Sequence, residues 1–377
     1  MKVLFLVNGS EASAAGHRAR AFAERMPEDW QTALAYRPER KWKGILPFLH
    51  LAQTFRPQVL YVMDTAYTGV LAGVLAKRLI GCALITDTGD VAYELALSSG
   101  VYSSRQLALI RWIENLALTR SDHIVVRGSY HKQLLQEQGI SHVTFIPDGV
   151  DVAQIPVLDA ADLRKHLGLS DTLVVGMVGT MLWSVRHRMC YGWDIIEALA
   201  LLPDMPVKAL LVGDGDGKPI LEQRAQELGV AHRVVFTGKL PYADLPGYLY
   251  AMDVCVSTQS NDRIGMVRTT GKLPLYLACN RYVVATDVGE ARRVLPGVGG
   301  LLPYHGVRDD AHPQRLADHL RYLLAHPERL ESALQGREIA RTHFDYPLLA
   351  QKVQALCQEV RVQTRPSLLA KDFPGRN

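Results

Sequence analysis

Residues 173–215 read LVVGMVGTMLWSVRHRMCYGWDIIEALALLPDMPVKALLVGDG. An unbroken apolar run, LVVGMV, is followed by a polar loop, an amphipathic stretch, WDIIEALALL, and a second apolar run, VKALLV. A strand that is apolar throughout rather than alternating has both faces covered, as in a parallel sheet with helices on either side. The pattern continues C-terminally through KPILEQRAQELG (218–229), VVFTGKL (234–240), DLPGYLYAM (244–252), VCVST (254–258), LPLYLAC (273–279) and YVVATDV (282–288). N-terminally it is present from the start: VLFLV (3–7), AGHRARAFAERM (15–26), QVLYVM (58–63), TGVLAGVLAKRL (68–79), ALITDT (83–88), QLALIRWIENLALTR (106–120), HIVVRG (123–128) and SYHKQLLQEQG (129–139). Between these series, 153–171 carries a proline-containing loop and one short helix. The expected architecture is α/β, with two doubly wound parallel-sheet domains facing each other across a cleft, where ligands of such sheets bind. The boundaries fall at 1–152 and 153–345. Residues 312–343 read as helical, 346–360 as a C-terminal helix crossing back to the first domain, and 361–377 as a tail.

The 377 residues are 48% apolar and 21% charged, which excludes a disordered chain, a coiled coil and a collagen-like repeat. Forty-two Lys and Arg against 38 Asp and Glu leave +4, too little to point to nucleic acid. The five cysteines, Cys82, Cys190, Cys255, Cys279 and Cys357, form no CxxC pair and read as buried thiols of a reducing compartment. MKVLFLVNGS has too short an apolar run for a signal peptide and reads as a first buried strand. No apolar run reaches the ~18 residues of a membrane span, so a cytoplasmic location is expected. The segment 37–55, RPERKWKGILPFLHLAQTF, places basic residues beside Trp42, Leu46 and Phe48. It reads as a core-facing helix, with peripheral contact at the inner face of a membrane as the alternative.

Several chemistries are excluded by motif. No Walker A sequence, GxSxG elbow or HExxH pair occurs, and the first loop, NGSEASAAGHRARA (8–21), lacks the GxGxxG spacing. His123, His131 and His142 read as ordinary packing or surface residues.

Four segments occur in a particular order: IPDGVD (146–151), LLVGDGDG (210–217), VVFTGKLPYADLPGYLYAMDVCVS (234–257) and YVVATDVGEARRVL (282–295). In that order they resemble the family-4 glycosyltransferases of GT-B fold, and the resemblance is densest from about 120 to 300. It implies transfer of a sugar from a nucleotide-diphosphate donor, of UDP or GDP type, to a hydroxyl of a glycan, a lipid-linked or a small-molecule acceptor. It also implies retention of configuration, no cofactor and no metal, in the setting of polysaccharide biosynthesis. By resemblance, Gly16 and His17 approach the donor phosphates, Gly238 and Lys239 meet the nucleobase, and Lys272, in TTGKLPLYLAC, sits on the diphosphate with Thr270 and Gly271 before it. Departing nucleoside diphosphate carries charge that cations and oriented backbone N–H groups stabilise. VGDGDG contains Asp214 and Asp216, but at a strand end that the family uses structurally.

Two departures stand out. The family's paired glutamates fall here on Val267 and Leu275, with Asp262 as a replacement for the first at another spacing. The phosphate loop, VGTMLWSVRHRMCYGWD (178–194), has Thr180 and Tyr191 where Arg and Lys are common, yet it is longer and carries Arg186, His187 and Arg188. Arg186 and Arg188 are expected on the phosphates, with Arg263 and Arg268 competing. In ITDTGDVAYE (85–94), Asp87, Asp90 and Glu94 are candidates for sugar or acceptor hydroxyls. Asp90 reads equally as a general base, should the reaction invert, or as a helix cap. A non-catalytic nucleotide-sugar-binding protein and a nucleotide-sugar epimerase are the alternative functions.

Overall fold

The chain, seen in a computed structural model, is described over residues 1–364 apart from Arg186. The first half runs β1 (Lys2–Val7), α1 (Ala14–Ala23), β2 (Gln31–Tyr36), α2 (Ile45–Phe55), β3 (Val59–Met63), α3 (Tyr67–Ile80), β4 (Ala83–Thr88), α4 (Ala92–Ser99), α5 (Ser104–Arg120), β5 (His123–Val126), α6 (Ser129–Glu137) and β6 (Val143–Phe145). Its six strands are all parallel, in the order β2-β1-β3-β4-β5-β6.

The second half runs α7 (Ala161–His166), β7 (Leu173–Val178), α8 (Trp193–Ala200), β8 (Val207–Val212), α9 (Lys218–Glu227), β9 (Val234–Gly238), α10 (Leu245–Tyr250), β10 (Val254–Ser257), α11 (Arg263–Met266), α12 (Lys272–Ala278), β11 (Tyr282–Thr286), α13 (Ala291–Val294), β12 (Gly299–Leu302), α14 (His312–Ala325), α15 (Gly336–His343) and α16 (Tyr346–Thr364). Its strands are again all parallel, in the order β12-β11-β10-β7-β8-β9. The expected pair of doubly wound sheets is therefore the observed one. Each sheet reverses its strand order once, between β1 and β3 and between β7 and β10. Loops leave on opposite faces at such points, and a crevice opens at the strand ends.

The continuous apolar strands are buried as their composition requires. Leu4, Phe5, Leu6, Tyr61 and Ile85 in the first sheet, and Val174, Leu210, Cys255 and Val283 in the second, have no exposed surface. All five cysteines are buried free thiols. α16 returns to the first lobe, where Leu349, Val353, Leu356 and Val360 join the core of β1, β3 and α1. Burying each such side chain contributes about 1.5–3 kcal/mol, which fastens the end of the chain across both lobes.

Residues 312–343 are helical as read, in three pieces: α14 stops at Ala325 and a 3₁₀ segment, Pro327–Gln335, precedes α15. Pro327 has no N–H to give and its ring clashes with the preceding turn. One boundary further on is corrected: residues 361–364 continue α16 rather than starting a tail; the rest of that segment, 365–377, lies outside the described residues. In α2, Phe48 and Ala52 face the core, while Leu46 and the preceding Trp42 remain 75% and 67% exposed.

Candidate functional site

The C-terminal strand ends of the two sheets face each other, and the chemistry-bearing side chains gather there. Lys272 is the first residue of α12, yet its side chain reaches back to the end of β7. A Cβ placed on Gly179 would lie 2.7 Å from Lys272 Cε. Gly179 has φ +146°, a backbone conformation that side-chain-bearing residues rarely adopt, so the absence of a side chain there makes room for the lysine. Lys272 Nζ stands 3.2 Å from the centroid of the Tyr191 ring. Burial, then the Arg268 guanidinium, lower its pKa to about 7 from 10.5. Below it, Tyr276 Oη accepts the Val178 N–H at 2.9 Å and ties α12 to β7.

Arg268 lies on the loop before α12, and its Nε donates to Asp90 Oδ1 on the other lobe. Tyr191 is also hydrogen-bonded to this guanidinium. Burial pulls Arg268 down, but Asp90 and Tyr191 outweigh it and hold the group above its ordinary pKa. Three further contacts cross at the same end of the gap. Arg263 Nη1 donates to Glu94 Oε1 at 2.6 Å, Ser129 N–H donates to buried Glu290 at 2.6 Å, and Thr269 Oγ1 donates to the Arg127 carbonyl. At the other end the His17 ring stacks on Tyr242, with centroids 5.2 Å apart. Burial, then Arg20, keep His17 below its ordinary pKa.

Each residue expected from sequence has a definite place. Gly16 lies in the first turn of α1 and donates its N–H to Ser13 Oγ at 3.1 Å. Gly238 ends β9 with φ +71°, and its carbonyl accepts the Gly213 N–H; Lys239 follows it, exposed. Since Tyr242 follows shortly after, the 238–242 loop and the start of α1 line one end of the cleft together. Thr270 and Gly271 precede α12, and the Thr270 carbonyl accepts from Leu273 N–H. Arg188 is exposed in a left-handed conformation, φ +52°, and its carbonyl accepts from Arg308 at 2.8 Å. Arg186 lies outside the described residues. Asp216 accepts the Trp183 N–H at 2.8 Å and pins the long 180–192 loop.

One alternative is settled by these contacts, and one further carboxylate has a structural role. Asp90 caps no helix: α4 begins at Ala92 after Val91, with no side-chain cap. Asp262 is the cap of α11, accepting from Gly265 N–H at 3.0 Å and Ser260 Oγ at 2.7 Å. Leu275 is 6% exposed and belongs to the core of the second lobe.

Beneath the first lobe's strand ends, Asp87, a hydroxyl-binding candidate from sequence, is fully buried at the centre of a charge network whose cations the sequence does not reveal. Its carboxylate has Arg18 Nε at 3.0 Å, Arg127 Nε at 2.8 Å and Tyr61 Oη at 2.9 Å. Burial raises its pKa, but the two guanidinium groups outweigh this and hold it below its ordinary value. Arg127 also bonds Asp64 at 2.7 Å. This network fixes the loop that carries Gly89 and Asp90.

Residues 172–326 match the family described as Glycosyl transferases group 1. That match covers most of the second lobe and includes Lys272, Arg268 and Tyr191. Beyond it, the chain is 28% identical over 262 residues to the 2-deoxystreptamine N-acetyl-D-glucosaminyltransferase of Streptomyces fradiae, covering 66% of this chain and 59% of that protein. It is 28% identical to the D-inositol 3-phosphate glycosyltransferase of Corynebacterium urealyticum, over 57% of this chain and 51% of that one. The chain thus spans somewhat over half the length of these curated relatives. Among solved structures, Anabaena Alr3699/HepE in complex with UDP-glucose superposes with a TM-score of 0.76 at 19% identity, covering 95% of this chain and all of that one. The fold is GT-B, and these comparisons support the resemblance to family-4 glycosyltransferases read from sequence.

Proposed function

We propose that this protein transfers a glycosyl group from a nucleoside-diphosphate sugar to a hydroxyl of a small polyol or glycan acceptor, with retention and without a metal. The observation that carries the reading is the Lys272–Arg268–Tyr191 cluster at the β7–β10 switch point, facing Asp90 of the other lobe. In the reaction the bond from sugar C1 to the β-phosphate oxygen breaks and a bond from C1 to the acceptor oxygen forms. The acceptor's proton goes to the departing phosphate, so no protein base is required. Lys272 and Arg268 offset the charge that grows on the leaving group, with Arg188 in a supporting role. Gly238 and Lys239 serve the nucleobase, and Gly16, Thr270 and Gly271 the phosphate side. The named acceptors of the relatives, an aminocyclitol and a phosphocyclitol, support a cyclitol-like ring as acceptor class. A cytoplasmic setting, with peripheral membrane contact through exposed Trp42 and Leu46 beside Lys43, completes the proposal.

A second reading, a nucleotide-sugar-binding protein without turnover, is favoured by two observations: Leu275 is a core residue, and Asp262 is engaged as a cap. A thermal-shift series with UDP, GDP, ADP and TDP, followed by donor turnover with and without EDTA, separates the readings. Stabilisation by one nucleotide together with metal-independent transfer is the expected result. Stabilisation without turnover of any donor supports the binding protein, and no stabilisation by any nucleotide overturns both. The anomeric configuration of the product, read by NMR, tests retention.

A further inference from the structure

Lys272 and Arg268 bring two positive charges together, and Asp90 meets that of Arg268. Among the described residues Lys272 forms neither a hydrogen bond nor an ion pair, and burial and the Arg268 charge both favour its neutral amine. Its nitrogen is nevertheless in a fixed place. A Cβ on Gly179 would stand 3.2 Å from Nζ itself, and Nζ stands 3.2 Å from the centre of the Tyr191 ring. The face of that ring carries the negative part of the aromatic quadrupole, so it attracts an ammonium and is indifferent to an amine.

Tyr191 serves Arg268 as well. A guanidinium has donors only, so in their hydrogen bond the phenol oxygen accepts. One side chain thus takes an ammonium on its face and a guanidinium at its edge. Its backbone is held for this. The Cys190 carbonyl accepts the Trp193 N–H at 3.1 Å, and Gly192, at φ +98°, turns the chain directly into α8. Other residue types would serve less well beside Lys272. A carboxylate would hold the ammonium but repel an incoming diphosphate. A second lysine, common at this position in the family the chain resembles, would attract the diphosphate but drive Lys272 toward its neutral form. Tyrosine carries no charge to repel the ligand, favours the ammonium, and leaves N–H groups of it for phosphate oxygens.

We infer that Tyr191 is a positioning residue of the donor site, whose ring face keeps the Lys272 ammonium charged and in place at the end of β7 while its hydroxyl ties the Arg268 guanidinium beside it. The inference rests on the reading that a nucleoside diphosphate binds at this cluster. Arg268 faces Lys272 from the loop before α12, with Asp90 behind it, and Tyr276 lies one turn on along α12. Arg268 and Tyr276 are held above their ordinary pKa values, so neither changes charge where Lys272 does.

Calorimetry on the full chain follows the affinity of UDP from pH 6 to 9, with GDP, ADP or TDP in its place if one of them binds more tightly. Lys272 carries a proton when it meets the diphosphate, so affinity falls with pH once the amine of the free protein is neutral. The titration of the nucleotide itself is common to all variants and cancels in their ratios. Tyr191→Phe keeps the ring, so its affinity relative to wild type is expected to be the same at every pH. Tyr191→Leu removes the ring. Relative to Tyr191→Phe it is expected to bind about three- to tenfold more weakly at pH 8.5 than at pH 6, because the falling limb moves about half to one pH unit toward acid. A limb that stays in place in Tyr191→Leu, or moves as far in Tyr191→Phe, overturns the inference. If Tyr191→Leu does not fold, pentafluorophenylalanine at position 191 keeps the shape of the ring and reverses its quadrupole; the same shift is expected of it, and no shift overturns the inference. Nucleotide binding with an unmoved limb sinks the role of Tyr191 alone. Failure of the wild type to bind any of the four nucleotides sinks the donor site, and this role with it.

Discussion

The Arg268 guanidinium of the second lobe donates to the Asp90 carboxylate of the first, and the same guanidinium is the nearest charge acting on Lys272. One residue therefore links the closing of the lobes to the cationic cluster. Both side chains keep some solvent contact, so the pair itself contributes only about 0–1 kcal/mol. Its effect is on where the Arg268 charge points. Asp90→Asn releases that charge toward an incoming diphosphate. UDP affinity is expected to rise about three- to tenfold, while transfer slows because the acceptor side loses its carboxylate. Titration calorimetry with turnover checks both; weaker UDP binding in this variant contradicts the arrangement.

Lys272 is held at about pKa 7 by burial and Arg268 in the nucleotide-free protein, against 10.5 ordinarily. Between pH 7 and 10.5 the unfolded chain then binds more protons than the folded one, so this group makes stability rise with pH across that window. A diphosphate reverses the balance by favouring the ammonium, so nucleotide affinity is expected to fall as pH rises above 7, with proton uptake on binding. Lys272→Met removes a buried charge while keeping the stem against Gly179 and Tyr191. A gain on the order of 1 kcal/mol in unliganded stability, with loss of nucleotide stabilisation, is the expected pair of effects. Melting curves with and without UDP at pH 6, 7.5 and 9 test it. A destabilised variant that still responds to UDP would show that Lys272 is structural.

Much of this architecture is legible in the chain. Runs such as LVVGMV and VKALLV are apolar on both faces and become central parallel strands. Lys272 is legible through the family resemblance, which sets TTGKLPLYLAC at the donor diphosphate. The partners of these residues are not legible. Tyr191 under Lys272 and Arg268 against Asp90 join positions 81 and 178 residues apart, and no periodicity reports such a contact. His131 reads as an ordinary helix histidine, since sequence shows neither its burial nor its unmatched nitrogen. Asp90 reads as a cap from its place before a helix, but Val91 takes the N-cap position and the carboxylate turns to the other lobe.

At Gly128 the two lobes are in close backbone contact. A Cβ on it would stand 2.1 Å from the Val267 carbonyl oxygen, a backbone atom that cannot swing aside. The neighbouring Ser129 N–H is bonded to Glu290, so the strand end has little freedom to retreat. Gly128→Ala is expected to leave each lobe folded but to wedge the gap open by a fraction of an ångström or more. That would lengthen Arg268–Asp90 and Thr269–Arg127 together. Transfer should fall at least about tenfold, reflecting misplaced groups, with UDP affinity falling less, because most of the groups proposed for it belong to the second lobe. A small-angle scattering profile alongside kinetics checks the opening. Full activity in this variant would mean that the contact is not part of the working geometry.

Acid should act on this fold through two buried imidazoles. His131 and His312 are 2% and 1% exposed, and burial lowers each from 6.5 to about 4. The unfolded chain binds protons at both sites as pH falls from 6.5 toward 4, while the folded chain resists, so stability is lost over that interval. Each contributes on the order of 1–3 kcal/mol to the loss. His312 packs edge-on against Tyr304 with ring centroids 4.9 Å apart, and its Nδ1 has no partner among the described residues. Phenylalanine keeps that ring contact and removes both the titration and the unmatched nitrogen. The Pro303 carbonyl, to which His312 is hydrogen-bonded, retains Arg315 Nη1 at 3.1 Å. His312→Phe should therefore match or exceed the wild type at pH 7.5 and lose less stability at pH 4.5, read as urea midpoints at the two values. An identical acid limb in wild type and variant would place the acid sensitivity elsewhere, with the Asp87 network as the next candidate, since its carboxylate is held below the ordinary range by Arg18 and Arg127.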